Sequence, residues 1–261
     1  MAFRTRIGFL GAGNIAEAMI GRLYTDSSFD VAASRRDAAK LEELGKKYGV
    51  ETYSSNRGLV ERSDVVVLGI EPSSLAAVLK EVHGQQAKLW ISLVNGASLA
   101  YLQQSLGKQA LVRAMPQIGF KYGHSVTWYA ANGDCAQGDI ALAERVFAAG
   151  GISRRIGESQ MNAATAFSCE PGLLVQDLIA DQKALDGEGL KVDAQALAYL
   201  LRGTASKIEE LGIKGASASV ATKGGSTEAA HRFAEGKGLY ALREQRVSAC
   251  VRKSEELSRK T

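Results

Sequence analysis

The sequence predicts an α/β protein in which a Rossmann-type, doubly wound parallel sheet is followed by an all-helical domain. In the first 157 of the 261 residues, short apolar segments alternate with amphipathic ones. One of them, SDVVVLGI (63–70), is an uninterrupted apolar run with β-branched residues, the pattern of a parallel strand covered on both faces. From residue 158 onwards, helical periodicity prevails and strand patterns are almost absent. We therefore place a sheet domain at residues 1–157 and a helical domain at residues 158–261.

Each element of the sheet domain is predicted from its hydrophobic pattern. The apolar segments predict strands at residues 6–10, 29–34, 63–70, 88–94, 110–115 and 124–131. The amphipathic segments between them predict helices at residues 14–23, 36–49, 74–82 and 97–107. Since strand and helix alternate at short spacing, we expect the strands to be parallel.

The helical domain has amphipathic segments but no sheet on which to bury their apolar faces. Four such segments begin at Glu158, Leu173, Val192 and Gly238. Amphipathic helices need a partner surface for their apolar stripe, and a second copy of the chain supplies one. We therefore expect this domain to mediate dimerisation, giving a homodimer or a higher homo-oligomer.

The composition argues against several classes of function. Lys and Arg number 32 against 28 Asp and Glu, and no basic run is interleaved with aromatic residues, so no nucleic-acid partner is expected. No stretch approaches 18 consecutive apolar residues, so no membrane partner is expected. Neither the three cysteines nor the three histidines have metal-ligand spacing, so no metal is expected. Because the chain starts without a signal-peptide pattern, we expect a cytoplasmic protein.

A glycine motif lies between the first predicted strand and the first predicted helix. In this Gly-x-Gly-x-x-Ala pattern, Gly11 allows a tight turn, Gly13 lets backbone approach a pyrophosphate, and Ala16 allows close helix packing. The motif predicts a dinucleotide-binding domain over residues 1–157. The residues expected to bind the cofactor here are Gly11, Ala12, Gly13, Asn14 and Ile15. The alternative is a tight turn in a sheet domain that binds no nucleotide.

The residues after the second strand indicate which dinucleotide is bound. An NAD site would place an acidic residue there for the ribose hydroxyls, whereas this chain has Ser34-Arg35-Arg36. A hydroxyl and guanidinium groups suit a 2′-phosphate, so we expect NADP (NADPH) to be preferred, with NAD as the alternative. Asp37 follows, but it falls at a predicted helix start, where an acidic residue is favoured in any case. The two arginines have a simpler interpretation as solvated residues at that helix start.

Several motifs spread along the chain resemble those of pyrroline-5-carboxylate reductase, an NAD(P)H-dependent imine reductase of proline biosynthesis. The matching segments are IGFLGAGNIAEAMIGRL, SDVVVLGIEP, LVRAMP, MNAATAFS, VATKGGSTEAA and RKSEEL. The resemblance implies an oxidoreductase that transfers a hydride to the C=N bond of pyrroline-5-carboxylate or a related cyclic imino acid. It also implies that the helical domain carries the substrate site and the dimer interface.

The resemblance further assigns roles to individual residues. Asn56, Gly69 to Pro72 and Asn95 would join Ser34 and Arg35 in the cofactor site, and the turn of Val94, Asn95 and Gly96 would lie beside the nicotinamide. Gly224, Gly225, Ser226 and Thr227 would bind the substrate carboxylate and ring, and Thr227 and Glu210 would be catalytic. A Gly-Gly-Ser-Thr loop at a helix start has open amides that can hold a carboxylate, which makes the substrate assignment physically reasonable. For Thr227 the alternative is an ordinary helix cap.

The chain departs from the family's motifs mainly on the substrate side. The family's Met-Pro-Asn-Thr-Pro becomes Met-Pro followed by Gln117, and Phe120 adds bulk nearby. The family's Ser-Gly-Ser-Gly-Pro turn is replaced by a segment that contains Cys169 and Glu170. We expect Cys169 to be a buried small residue, and Glu170 could favour a substrate with an extra cationic group. Two alternatives therefore stay open, a reductase of a different imine or ketimine and an NADP-binding regulator without turnover.

Overall fold

The computed structural model describes residues 4–259 and contains one eight-stranded sheet. The strands are β1 (Thr5–Leu10), β2 (Phe29–Ser34), β3 (Glu51–Tyr53), β4 (Val65–Leu68), β5 (Leu89–Ser92), β6 (Leu111–Met115), β7 (Ser125–Ala131) and β8 (Gly151–Arg155). Their order across the sheet is β3-β2-β1-β4-β5-β6-β7-β8. Chain order reverses direction at β1, which pairs in parallel with β2 on one side and β4 on the other. In open α/β sheets, ligands bind at such a switch point, beyond the carboxyl ends of the strands.

Ten α-helices accompany the sheet in the described part of the chain. They are α1 (Asn14–Leu23), α2 (Ala38–Tyr48), α3 (Asn56–Glu61), α4 (Pro72–Glu81), α5 (Leu99–Leu106), α6 (Gln137–Ala148), α7 (Met161–Gly187), α8 (Ala194–Val220), α9 (Ser226–Gly236) and α10 (Leu239–Ser258). The Rossmann-type sheet with helices after it, predicted from the sequence, is confirmed.

The far side of the sheet differs in detail from the sequence prediction. β7 runs antiparallel to β6, because the short connection from Pro116 to His124 is not long enough for the crossover that a parallel neighbour requires. The edge strand β8 returns to a parallel arrangement beside β7, after the crossover through α6. Neither α6 nor β8 was predicted from the sequence. β8 reads Gly-Ile-Ser-Arg-Arg and is half-exposed, so it has no apolar run to reveal it.

Two apolar layers, one on each face of the sheet, hold this part of the molecule together. One layer packs β1, β2 and β6 against α1, α2 and α6 and includes Met19, Phe29, Phe120 and Phe147. The other packs against α3, α4 and α5 and includes Trp90, and β4 and β5 contribute to both layers. Because β4 and β5 are buried along their whole length, their sequences show continuous apolar runs instead of alternation.

By compactness the chain divides into two units. One contains the residues up to Ser168 together with those from Cys250 onwards, and the other contains Cys169–Ala249. This division falls within α7 and α10 and not at residue 157, because the start of α7 and the end of α10 pack into the first unit. Met161 and Ala164 are buried there, as is Ser254. The assignment of residues 158–261 as a substrate and dimerisation domain stays a prediction.

The second unit consists of helices alone. All of Cys169–Ala249 is described, and none of these residues is buried. α8 is interrupted at Gly212, whose φ of 68° and ψ of 171° are not helical. Within the described residues, no helix is long and apolar enough to cross a membrane.

Candidate dinucleotide site and substrate loop

The glycine loop after β1 is closely packed against the end of β4. Gly11 has a φ of 84°, in the left-handed region that glycine tolerates best. A Cβ on Gly11 would lie 2.4 Å from Cγ2 of Ile70 and 2.9 Å from the carbonyl oxygen of Gly69. The amide of Gly69 donates to the carbonyl of Leu10 at 2.9 Å, which holds the two strand ends together. This cradle leaves no room for a side chain at position 11.

The first turn of α1 points open backbone amides toward this cradle. The helix begins after Gly13, which caps it without any side-chain hydrogen bond, so the amides of Asn14 and Ile15 are without intrahelical acceptors. A helix N-terminus of this kind attracts a phosphate through its amides and its dipole. Ala16 faces Gly69 across the loop, and a Cβ on Gly69 would lie 2.6 Å from the Cβ of Ala16. The geometry fits a pyrophosphate-binding loop.

Behind the glycine loop, polar residues join the ends of β2 and α4. Ser34 is buried, and its hydroxyl donates to Oδ1 of Asn56 at 2.7 Å. The side-chain amide of Asn56 in turn donates to Glu81 at 2.5 Å. Arg35 donates to the carbonyl of Ala12 at 2.8 Å, which ties it to the glycine loop.

A basic cleft of about 510 Å³ lies beside this network. It is lined by Arg35, Arg36, Ser54, Ser55, Asn56, Arg57 and Glu81. Three guanidinium groups face one carboxylate, so the cleft favours an anion. Asp37 does not line this cleft, and its side chain caps α2 by accepting from the amide of Lys40. The helix-cap interpretation of Asp37 is therefore confirmed.

The remaining predicted cofactor residues lie beyond the ends of β4 and β5. Pro72 occupies the first turn of α4, where its missing amide leaves no hydrogen bond unmade. Asn95 lies in the turn after β5, and its Oδ1 is 2.8 Å from the hydroxyl of Ser254. Ser254 was not identified from the sequence. Its only signal was a serine within the RKSEEL motif near the end of α10.

The predicted substrate loop belongs to the second unit and precedes α9. Gly225 caps this helix without a side-chain hydrogen bond, so Thr227 lies inside the first turn and is not its cap. The alternative interpretation of Thr227 as a helix cap is therefore wrong. The amide of Gly225 donates to the carbonyl of Thr222 at 2.9 Å, whereas the amides of Ser226 and Thr227 have no intrahelical acceptor.

A carboxylate of the chain itself already lies on this loop. The amide of Gly224 donates to Oε2 of Glu228 at 2.6 Å, and the same oxygen pairs with Arg232 at 2.9 Å. The hydrogen bond from Gly224, followed by that from Arg232, lowers the pKa of Glu228 below its usual range. The loop can therefore hold a carboxylate group.

Glu210 lies on α8, two residues before the break at Gly212, and it is exposed. Among residues 4–259, no hydrogen bond or ion pair joins Glu210 to Thr227. The structure therefore places the two proposed catalytic residues on different helices of the second unit, α8 and α9.

Two residues that distinguish this chain from the family's motifs, Phe120 and Gln117, have structural partners of their own. Phe120 is fully buried against Gly150, so the expectation that it adds bulk to a substrate pocket is wrong. Gln117 is also buried, and its Nε2 lies 3.5 Å from the carbonyl of Phe167. Pro171 lacks the amide that would bond to this carbonyl within α7, and Gln117 donates to it instead.

The segment expected to be a turn lies inside α7. Glu170 is 3.5 Å from Arg246, whose guanidinium also pairs with Asp177 at 3.1 Å. The charge of Glu170 is therefore compensated within the unit, which weakens the hypothesis that it recognises a cationic substrate. Cys169 is exposed, so the expectation that it is buried is wrong.

Arg113, in the LVRAMP segment, is an inward-pointing cation on β6. It is only 4% exposed, and its Nη1 lies 3.6 Å from Glu158. Burial lowers the pKa of Arg113, and the charge of Glu158 opposes this shift. Glu158 also accepts from the amide of Leu99 at 2.6 Å. The pair therefore joins the sheet to the start of α5.

Within residues 4–259 there is no group of three or more His, Cys, Asp or Glu side chains that could hold a metal. A Rossmann-type dinucleotide-binding protein is defined by three features at the switch point of the sheet. These are the close packing of Gly11 against Gly69, the open amides at the start of α1 and the basic cleft. A helical unit is attached to this Rossmann-type part.

Comparisons with known proteins make this class more specific. A family model described as "NADP oxidoreductase coenzyme F420-dependent" matches residues 6–96, which extend from β1 to the turn after β5. The chain is 28% identical to the pyrroline-5-carboxylate reductase of Synechocystis sp., over 98% of this chain and 99% of that one. The resemblance found in the sequence is confirmed over nearly the whole length.

Solved structures show the same likeness. A pyrroline-5-carboxylate reductase from Coxiella burnetii matches with a TM-score of 0.85 and 27% identity, covering 97% of this chain and 98% of that chain. A pyrroline carboxylate reductase from Plasmodium falciparum, solved with NADP bound, matches with a TM-score of 0.87 over 97% and 98%. At 20% identity the second match shows the shared fold alone.

Proposed function

We propose that this protein is an NAD(P)H-dependent imine reductase that reduces the C=N bond of pyrroline-5-carboxylate to give proline. One observation carries the proposal. The likeness to pyrroline-5-carboxylate reductases extends over 98% of the chain, so it includes the substrate loop at Gly224–Thr227 as well as the glycine loop. A likeness confined to the sheet would have supported nucleotide binding alone.

The cofactor proposed is NADPH, with NADH as a weaker alternative. The bound nicotinamide supplies the hydride, and the protein has to bind and orient it. Gly11, Gly13 and the first amides of α1 would hold the pyrophosphate. Ser34, Arg35 and Asn56 would hold the 2′-phosphate end, because guanidinium groups bind phosphate through charge-assisted hydrogen bonds.

The substrate would be held by the loop before α9. The amides of Ser226 and Thr227 are open at the helix start and suit a carboxylate. The hydroxyl of Thr227 would donate to or accept from the ring nitrogen, and Glu210 would contact the substrate or the proton on it. Since imine reduction needs chiefly a positioned and protonated C=N group, such a site requires no nucleophile and no metal.

A second candidate is the reduction of a different imine or ketimine. The observation that favours it is the altered substrate side, where Gln117 and the segment from Cys169 to Pro171 replace the family's motifs. A third candidate, an NADP-binding regulator, rests on the same alterations combined with an intact glycine loop.

A homodimer is part of the proposal. An 81-residue helical unit without a single buried residue needs a further surface to bury its apolar side chains, and Ile213 is 78% exposed. Side chains around the break in α8 line a groove of about 520 Å³ that a second copy could fill. Sedimentation of Ile213→Glu, with Ile152→Glu in β8 as the control, tests this. Ile213→Glu should become monomeric, whereas Ile152→Glu should not.

The cytoplasmic location stays a prediction.

The experiment that separates the three candidates is NADPH oxidation with a panel of imines. The panel contains pyrroline-5-carboxylate and cyclic imino acids with five- and six-membered rings. Turnover of pyrroline-5-carboxylate supports the proposal. Turnover of another imine alone supports the second candidate, and NADPH binding without turnover supports the regulator.

A further inference from the structure

We propose that Ser254, near the end of α10, is a positioning residue that fixes the turn beside the nicotinamide end of the cofactor site. This turn contains Val94, Asn95 and Gly96 and follows β5. The inference rests on the proposed function only in treating Asn95 as part of the cofactor site. Its geometric basis is independent of which imine is reduced.

The hydroxyl of Ser254 lies between two asparagine side chains. Its Oγ is 2.8 Å from Oδ1 of Asn95 and 2.8 Å from Oδ1 of Asn162, on the first turn of α7. A serine hydroxyl carries one hydrogen but can also accept. It therefore donates to the amide oxygen of one asparagine. The side-chain amide of the other asparagine, turned by 180°, presents its NH2 group, and the hydroxyl accepts from it. In either arrangement Ser254 connects Asn95 to Asn162.

Ser254 is only 1% exposed, so water cannot replace these partners. A buried hydroxyl without partners would be costly, so Ser254 depends on its contacts with the two asparagines. Residues 169–249 contain no buried residue, whereas Ser254, five residues after this segment, is buried. The end of α10 is therefore built into the first unit at this point.

The backbone of α10 contacts the same turn. Gly96 has a φ of 86°, and a Cβ at this position would lie 2.8 Å from the carbonyl carbon of Leu257 and 2.9 Å from the amide nitrogen of Ser258. The close approach covers Gly96 from one side, while Ser254 holds Asn95 from the same helix. The turn also has a hydrogen bond from the amide of Ala97 to the carbonyl of Val94 at 3.4 Å, and the two contacts from α10 add to it.

The first arm of the test uses the full-length protein without cofactor. Ser254→Ala removes the hydroxyl, and Ser248→Ala is the matched control. Ser248 lies on the same helix, is exposed and bonds only to the backbone carbonyl of Glu244. We expect hydrogen exchange of the Ala97 amide to become about fivefold faster in Ser254→Ala, the effect of one lost hydrogen bond, and to stay unchanged in Ser248→Ala.

The second arm measures binding of NADPH and of 2′,5′-ADP, which lacks the nicotinamide. Ser254→Ala should weaken NADPH binding about fivefold and leave 2′,5′-ADP binding unchanged. The double variant of Asn95→Ala with Ser254→Ala should bind NADPH no more weakly than Asn95→Ala alone, since both disrupt one contact. Ser254→Cys keeps the side-chain shape with a weak donor and replaces Ser254→Ala if the latter does not fold.

Unchanged exchange at Ala97 overturns the proposal, as do equal losses of NADPH and 2′,5′-ADP affinity or additive effects in the double variant. The same effects in Ser248→Ala would also overturn it. If the wild-type protein binds NADPH but turns over no imine, the proposed function is wrong, and both arms still test the role of Ser254. Wild-type protein with no affinity for NADPH would overturn both.

Discussion

Gly69 and Ala16 approach so closely that a Cβ on Gly69 would lie 2.6 Å from the Cβ of Ala16. This approach packs the end of β4 against the first turn of α1. The glycine loop between β1 and α1 is held in place by this packing. A side chain at position 69 would push α1 away from the switch point. The open amides of α1 would then no longer face the cradle.

We therefore predict that Gly69→Ala weakens NADPH binding more than tenfold. Overpacking of this kind costs about 1–3 kcal/mol, and the carbonyl of Gly11 is a second obstacle at 3.1 Å. Calorimetric titration with NADPH measures the effect. Gly138→Ala in α6 is the control, because a Cβ there meets open space. Wild-type affinity in Gly69→Ala would show that α1 does not hold the phosphate.

Arg35 is predicted to discriminate NADPH from NADH. A hydrogen bond to a charged group contributes about 1.5–3 kcal/mol, so Arg35→Ala should raise the KM for NADPH at least tenfold. The KM for NADH should change less than the KM for NADPH, because NADH has no 2′-phosphate and is affected only through the bond from Arg35 to Ala12 in the glycine loop. Arg154→Ala, at the opposite edge of the sheet, is the control, because its guanidinium donates only to the neighbouring carbonyl of Ser153. Equal effects on both cofactors would mean that the cleft does not bind the 2′-phosphate.

Thr227 is predicted to act through its hydroxyl. Thr227→Ala should lower kcat by about a hundredfold, within the range typical of proton-transfer groups, and Thr227→Ser should restore most of it. Thr204→Ala controls for the loss of a threonine in the same unit, since Thr204 is exposed and bonds to the carbonyl of Leu200. If Thr227→Ser is as slow as Thr227→Ala, the role belongs to the methyl group or to packing.

The contact between Glu228 and Gly224 is predicted to be lost in acid. The amide of Gly224 lowers the pKa of Glu228 from its ordinary value of 4.5, so the contact stabilises the loop fully above that pH. Stability from this pair then declines as pH falls through the lower folded-state pKa. The chemical shift of the Gly224 amide should titrate with a midpoint below 4.5. Glu228→Gln should abolish this transition, and a midpoint at or above the ordinary value would contradict the contact.

The sequence predicted well those elements whose pattern is local. α1 occupies residues 14–23 as expected, because the glycine motif marks its start and small residues mark its inner face. β3 was missed, since three residues are too few to show a period. The antiparallel direction of β7 depends on the length of its connection, which hydrophobic periodicity does not register.

The candidate site shows the same division. Gly11 and the pair Ser34-Arg35 were identified because each lies in a short contiguous segment that follows a strand. Gly69 was assigned from the resemblance alone, since its contact with Ala16 is distant in sequence. Ser254 was missed because its contact with Asn95 is also distant in sequence. Phe120 was misjudged because the sequence does not show that it packs against Gly150.

The central claim, transfer of a hydride to an imine carbon, is tested most directly by isotope transfer. The protein is incubated with pyrroline-5-carboxylate and NADPH that carries deuterium at C4 of the nicotinamide, and the proline formed is analysed by mass spectrometry and NMR. We predict proline with one deuterium at the former imine carbon, from one of the two C4-deuterated epimers alone. Oxidation of NADPH without labelled proline, or no oxidation at all, would contradict the account.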